Sequence, residues 1–533
     1  MTTTTLSGEF VLIDDQCPGL FSESSTGDIE LGGTDGDVDC DTPTSGDNTA
    51  SARSAFYELN RQILRLQVDF GSNSWLMSQL EANVNIIGSC GAFWNGVSVN
   101  FYREGFPCAN TGEIASVFDH EWGHGMDDND TQGSIISSTN GGGEGIADLF
   151  ASLRLNTSCV GRGFFTDGSL CGGYGDPCTP ASGCTGVRDI DFANRSSGLP
   201  HDLTFVQSGV CGSTHCRGAA YAESMWDILK RDLPAFYGMD NNTALELTTR
   251  LTHRASNVVS GWYATGGTPH ANCGATFGYN QVLIVDDDNG NLADGTPHMQ
   301  AIASAFARHE IDCSPANGGP VVQDSGCAGT PSMAPVLTAV GIDTGTDLSW
   351  TAVPDAAMYN VYRTDSVFQC DFGKTLIGLV PGTAFQDAGL KNGREYSYVV
   401  IPKTANPSCF GPSSACANVT AGDPGGLFTL LPPTPGTAGV ANDFPTTDAT
   451  ASGNVFHMMG NAAGSTNVTI PGCGVLSMDF GGTARRLGRA VAGAAGDATL
   501  TRLIPGSAAG TTFTIQAVDQ GSCTKSNTVV NTF

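Results

Sequence analysis

The sequence predicts a multidomain chain: an α+β domain over its first 314 residues, followed by two all-β sandwich domains. Three observations carry this. Apolar residues recur at helical spacing in several segments between 50 and 312. The composition then turns to Gly, Pro and Ser in "SPANGGPVVQDSGCAGTPSMAP". Beyond it come short alternating stretches rich in Tyr, Val and Thr.

Taken in order, residues 1–50 read as an acidic, loop-rich N-terminal segment packed on the helical domain. Its alternating Asp35, Asp37, Asp39 and Asp41 in a Gly-rich loop suit a hard cation such as Ca²⁺. The domain itself is expected over 51–314. Its helical stretches are "SARSAFYELNRQILRLQVDF", "GEIASVFDHEWGH", "GEGIADLFASLRL", "GAAYAESMWDILKRDL" and "HMQAIASAFARHE". A linker is expected over 315–332, a β-sandwich over 333–421 from strands such as "DLSWTAV", "MYNVYRT" and "YSYVVIP", and a second over 424–533.

The balance of 24 Lys+Arg against 53 Asp+Glu argues against nucleic acid and anionic membrane surfaces as partners. No apolar run is long enough to span a bilayer, so membrane insertion is not expected. The 18 dispersed cysteines point to disulfides and a secreted, extracellular protein. The opening "MTTTTLSGEF" has no apolar leader, so an exported chain is expected here in mature or trimmed form. Cysteine parity by segment pairs Cys473 with Cys523. It also leaves Cys327 to reach into the first sandwich, for which Cys327–Cys416 with Cys370–Cys409 is the expected arrangement.

The chemistry concentrates in "HEWGH". Helical spacing places His120 and His124 on one face, where both imidazoles reach one Zn²⁺. Glu121 stands beside them, placed to take a proton from an attacking water and pass it to a leaving amine. A third ligand is required, and Glu144 on the next helix supplies it. Asp148, one turn further, can accept a hydrogen bond from a ligand histidine and fix its orientation.

Two such helices resemble the gluzincin metallopeptidases, of thermolysin-like and fungalysin-like type, over roughly residues 50–312. The resemblance implies a thermolysin-like α+β fold and a zinc-dependent endopeptidase with a polypeptide substrate. "GAFWNG" is similar to the edge strand on which such enzymes hold substrate, so the backbone of Ala92 and Trp94 would bind an extended peptide. Gly91 stands where an asparagine is usual. "STHCRGAAYAESMWDILKRDL" is similar to the fungalysin-type stretch in which a histidine stabilises the oxyanion, which makes His215 that donor. Cys211 and Cys216 bracket His215 and can clamp its loop. Arg188 resembles the arginine that holds a substrate carbonyl, with Arg195 as a rival. No tyrosine lies between His124 and Glu144, where Ile135 takes the corresponding place, and this favours the fungalysin-like side. The resemblance also implies an inhibitory propeptide, and none is visible. Residues 333–421, with Trp350, Tyr359 to Tyr362 and Tyr396 to Tyr398, resemble a fibronectin type III sandwich.

Two acidic runs are candidate Ca²⁺ sites: Asp127, Asp128 and Asp130 after the zinc motif, and Asp286, Asp287, Asp288 and Asp294 in "DDDNGNLADG". His298 is expected to cap the helix that follows. The expected function is a secreted zinc metalloendopeptidase whose β-domains make matrix, cell-surface or self-assembly contacts. The alternative is a structural or adhesive protein that keeps a zinc-stabilised but inactive domain. A zinc hydrolase acting on non-peptide esters is a further rival.

Overall fold

The computed structural model describes residues 6–17, 49–70, 73–130, 141–365, 370, 373–422, 428–462, 464–493 and 496–533. Asp35, Asp37, Asp39, Asp41 and Ile135 lie outside the described residues. The chain divides into two compact units: residues 1–337 with 351–383 and 398–416, and residues 338–350 with 384–397 and 417–533.

The first unit opens on a four-stranded sheet. Strand β1 (Val11–Asp15) pairs in parallel with β2 (Leu80–Ile86), β2 in parallel with β4 (Ser98–Tyr102), and β4 antiparallel with β3 (Ala92–Trp94) at the edge. Helix α1 (Ala50–Phe70) begins at Thr49, whose hydroxyl oxygen accepts from the Ala52 N–H at 3.1 Å. The same hydroxyl donates to Asp15 at 2.6 Å and so ties α1 to the sheet.

Helix α2 (Ala115–Asp128) carries the His-Glu-x-x-His stretch, and α3 (Gly142–Leu155) packs along it. They approach closely at Gly123, where a side-chain carbon would stand 2.8 Å from the Ala147 backbone. Then follow α4 (Leu203–Gln207), α5 (Thr214–Asp227) running on into a π-helical turn (Ile228–Asp232), α6 (Leu233–Tyr237), α7 (Asn241–Ser256), α8 (Gly278–Asp286) and α9 (Met299–Arg308). Ser213 and Asp240 cap α5 and α7 with side-chain oxygens. His298 occupies the N-cap position of α9, but its ring turns instead to Asp286 at 2.7 Å.

One core spans this unit, from Val11 and Leu59 through Phe118, Trp122 and Phe150 to Met225, Trp262 and Phe306. The same core takes in Tyr362, Val399, Ile401 and Phe410. Strands Met358–Thr364 and Thr375–Val380, an antiparallel pair, therefore belong with the helices. Arg61 of α1 donates to Asp365 and Thr375, and Asp240 before α7 accepts from Ser413. The stretch 333–421, expected as one module, is thus shared between units. The pairing is Cys327–Cys409 and Cys370–Cys416, the reverse of the arrangement expected. Gly411 lies against the Pro331 carbonyl, which brings the 409 turn rather than residue 416 to the linker.

The second unit is all β. It holds the three-stranded sheet of Leu337–Ile342, Gly345–Trp350 and Ala384–Ala388, and beyond residue 428 the sheets of the C-terminal stretch. Their central strand, Asn454–Gly460, alternates: Val455 and Met459 enter one core with Phe444 and Ile515, while Phe456 and Met458 enter another with Phe480. Cys473 and Cys523 are joined as expected. Among the described residues, no helix is long and apolar enough to cross a membrane.

Candidate metal centre

Three helices deliver the site. In α2 the four-residue spacing stacks His120 over His124, with their Nε2 atoms 3.2 Å apart. Glu144 enters from the first turn of α3, and His215 from the first turn of α5. The α3–α5 approach depends on glycine. A side-chain carbon at Gly218 would fall 2.5 Å from the Gly141 carbonyl and 2.6 Å from the Gly145 nitrogen. Only bare backbone lets the two helix starts, and with them Glu144 and His215, come this close.

The convergence is on one oxygen. Glu144 Oε2 lies 3.1 Å from His215 Nε2, 3.3 Å from His120 Nε2 and 3.6 Å from His124 Nε2. That oxygen is buried and yet accepts no hydrogen bond. Nitrogens and an oxygen bound to one Zn²⁺ at about 2.0–2.2 Å in a tetrahedron are held roughly 3.3 Å apart, so the donor set fits that ion in type and spacing. Among the described residues, His120, Glu144 and His215 form one group whose ligand-type atoms could share an ion; another, Cys171, Cys178 and Cys184, is consumed by the Cys171–Cys178 and Cys159–Cys184 disulfides.

Electrostatics point the same way. Burial would raise the Glu144 carboxyl, but the His120 and His124 imidazoles hold it far below the usual carboxylate range. Burial opposes a charged His120, but Asp148, whose Oδ1 is 2.8 Å from Nδ1, carries its pKa up to about 10. Glu121, buried beside the pair, is pushed up by desolvation against the pull of both histidines. Desolvation and the nearby Arg188 hold His215 down at about 4, so its ring is neutral at physiological pH.

Around this centre the expected residues are placed unequally. Asp148, expected to bond a histidine ring, lies with Oδ1 2.8 Å from His120 Nδ1. Arg188, expected to face a substrate carbonyl, lies behind the histidines: it is buried, and its Nε and Nη2 reach Oδ2 and Oδ1 of Asp148, each at 2.8 Å. Arg195 is buried against Glu223, part of a separate polar cluster with His201. Ala92 and Trp94 lie on the edge strand β3, and the Trp94 indole donates to Asp128 at the end of α2 at 2.6 Å. That bond commits one Asp128 oxygen. Asp127 is buried, and desolvation together with Asp130 and Asp128 raises its pKa well above the usual value. In the second acidic run, Asp286 is not grouped with its neighbours as a ligand. It is fully buried, with its oxygens taken by Thr296 and His298. Asp287, Asp288 and Asp294 bond to the Asn289 N–H, the Ser325 hydroxyl and the Asn289 amide.

Sequence reasoning missed Tyr174, whose hydroxyl donates to Asp148 Oδ2 at 2.8 Å. It stands in a Cys- and Gly-rich stretch without periodicity, and no pattern there marks it.

No known protein-family model matches the chain, and no curated protein matches it. Among solved structures, it is similar to a precursor of protealysin, a metalloproteinase from Serratia proteamaculans. The identity is 14%, over 58% of this chain and 90% of that one, with a TM-score of 0.39. An Fn3-like protein from Clostridium thermocellum is 27% identical over 17% of this chain and 95% of that one, with a TM-score of 0.15. Likenesses this loose leave the assignment of function to the site itself.

Proposed function

We propose that the chain is a secreted zinc metalloendopeptidase in which His120, His124 and Glu144 hold Zn²⁺. The observation that carries this is the meeting of three imidazole nitrogens on a buried Glu144 oxygen that accepts no hydrogen bond. A bound Zn²⁺ supplies Lewis acidity, polarising a carbonyl and making water acidic near neutral pH. The remaining steps belong to the chain's own residues. Glu121, kept basic enough by burial to accept a proton, takes it from the attacking water and delivers it to the leaving amine. His215, neutral and half-exposed, donates Nε2–H to the oxyanion that develops on the carbonyl oxygen. Asp148 fixes the His120 ring through Nδ1. Edge strand β3 offers unpaired backbone to an extended polypeptide.

The disulfides and the acidic surface support an extracellular setting. The C-terminal strands are assigned to contacts with a matrix, a cell surface or other copies. Asp127, Asp128 and Asp130 are kept as the candidate Ca²⁺ ligands. The deciding experiment is Glu121→Ala assayed on a denatured protein substrate. Hydrolysis should fall by about 10²–10⁴-fold while zinc stays bound. Wild type and variant equally inert, with zinc bound to both, would favour the structural or adhesive alternative.

A further inference from the structure

Asp148 is fully buried and its two oxygens are unequally shared. Oδ1 meets His120 Nδ1 and Arg188 Nη2, each at 2.8 Å. Oδ2 meets Arg188 Nε and the Tyr174 hydroxyl, each at 2.8 Å. Arg188 bridges both oxygens and would follow the carboxylate through a tilt. The Tyr174 hydroxyl bonds only the oxygen that His120 does not use, so it distinguishes the two and sets the angle of the group. The tyrosine is itself held. Its ring lies 5.7 Å from the Arg195 guanidinium and 5.5 Å from the His201 ring, both paired with the buried Glu223. Its backbone is left-handed, at φ 74°, a conformation that costs a tyrosine about 1–3 kcal/mol and persists only where the surroundings enforce it. The Cys171–Cys178 disulfide closes the short loop that contains it.

We propose that Tyr174 is a positioning residue of the metal centre: through Asp148 it fixes the His120 imidazole in the orientation that binds the ion. This rests on the zinc-site reading above. The loop 171–178 thereby becomes part of the centre, although none of its side chains reaches a ligand atom of the proposed triad.

The test uses the full chain and four proteins: wild type, Tyr174→Phe, Tyr221→Phe and His120→Ala. Tyr221 is a buried tyrosine stacked on Trp262 at 3.7 Å, and its hydroxyl has no partner, so it controls for loss of a core hydroxyl. Zinc affinity is measured by chelator competition, and the geometry of the centre by the visible spectrum of the cobalt(II)-substituted protein. Tyr174→Phe should bind zinc about tenfold more weakly and shift the cobalt spectrum, while Tyr221→Phe matches wild type. Wild-type affinity and spectrum in Tyr174→Phe would overturn the inference, as would an equal loss in Tyr221→Phe. A wild-type protein whose zinc uptake is unaffected by His120→Ala would instead bring down the metal-centre reading, and this inference with it.

Discussion

At the scale of single residues, the site divides into groups that bind, groups that react and groups that hold. In the proposed mechanism His215 belongs to the second class. Its side chain is 43% exposed and packs little, so its loss should leave stability within about 0.5 kcal/mol. His215→Ala should nevertheless lower kcat by about 10²–10³-fold with KM little changed, as steady-state kinetics on a peptide substrate would show. Asp148 belongs to the third class, and its removal should read differently. Asp148→Ala leaves the buried Arg188 guanidinium without its carboxylate, which should cost about 3–5 kcal/mol in denaturant unfolding, besides weakening zinc binding. The pairing of His120 with His124 was legible because one helical turn fixes their spacing. The direction of Arg188 was not legible. Nothing in "GVRDIDF" distinguishes an arginine that faces a cleft from one buried against Asp148.

At the scale of elements, the packing of α3 against α5 makes the site. Gly218→Ala should destabilise the protein by about 1–3 kcal/mol and weaken zinc binding, because the added methyl must push the Glu144 and His215 helix starts apart. Thermal unfolding with and without zinc would show it. In the C-terminal strands, His457 falls between Val455 and Met459 on the core-facing side of Asn454–Gly460, where burial pushes its pKa down to about 4. The unfolded value is about 6.5. The folded state therefore resists the proton, and its stabilising contribution is complete above pH 6.5. It is lost progressively as pH falls toward 4, amounting to at most about 3 kcal/mol. The denaturant midpoint of these strands should fall over that window, and His457→Leu should flatten the dependence. Helices with strong apolar periodicity, such as α2 and α9, could be read from sequence. Helices α7 and α8 drew no expectation: α8 has little 3.6-residue period, and α7, although at least as amphipathic as α2, is rich in Thr and Asn, which lower its intrinsic helix preference.

At the scale of the molecule, strands Met358–Thr364 and Thr375–Val380 and the stretch 398–416, all beyond the linker, are structural parts of the helical unit. Tyr362, Val399, Ile401 and Phe410 share its core, Arg65 of α1 pairs with Glu246 of α7 beside Tyr362, and Cys327–Cys409 secures the linker. A chain ending at residue 332 would expose that face and leave Cys327 without its partner. It should be insoluble or unfold at much lower temperature than the full chain, as expression and calorimetry would show. The boundary at residue 314, clear in composition, is therefore not a boundary of the packed unit.

The sequence by itself determined the helical spacing that stacks His120 over His124, the one-turn separation of Glu144 and Asp148 on the next helix, and the change from helices to strands. These depend on local spacing, which the regular period of helix and strand makes predictable. Tertiary structure alone decided that Arg188 and Tyr174 grip Asp148, that Asp286 turns to His298, that Cys327 pairs with Cys409 and Cys370 with Cys416, and that Tyr362 enters the helical core. Each depends on segments far apart in sequence meeting side by side, and their meeting is fixed by packing that no local period encodes.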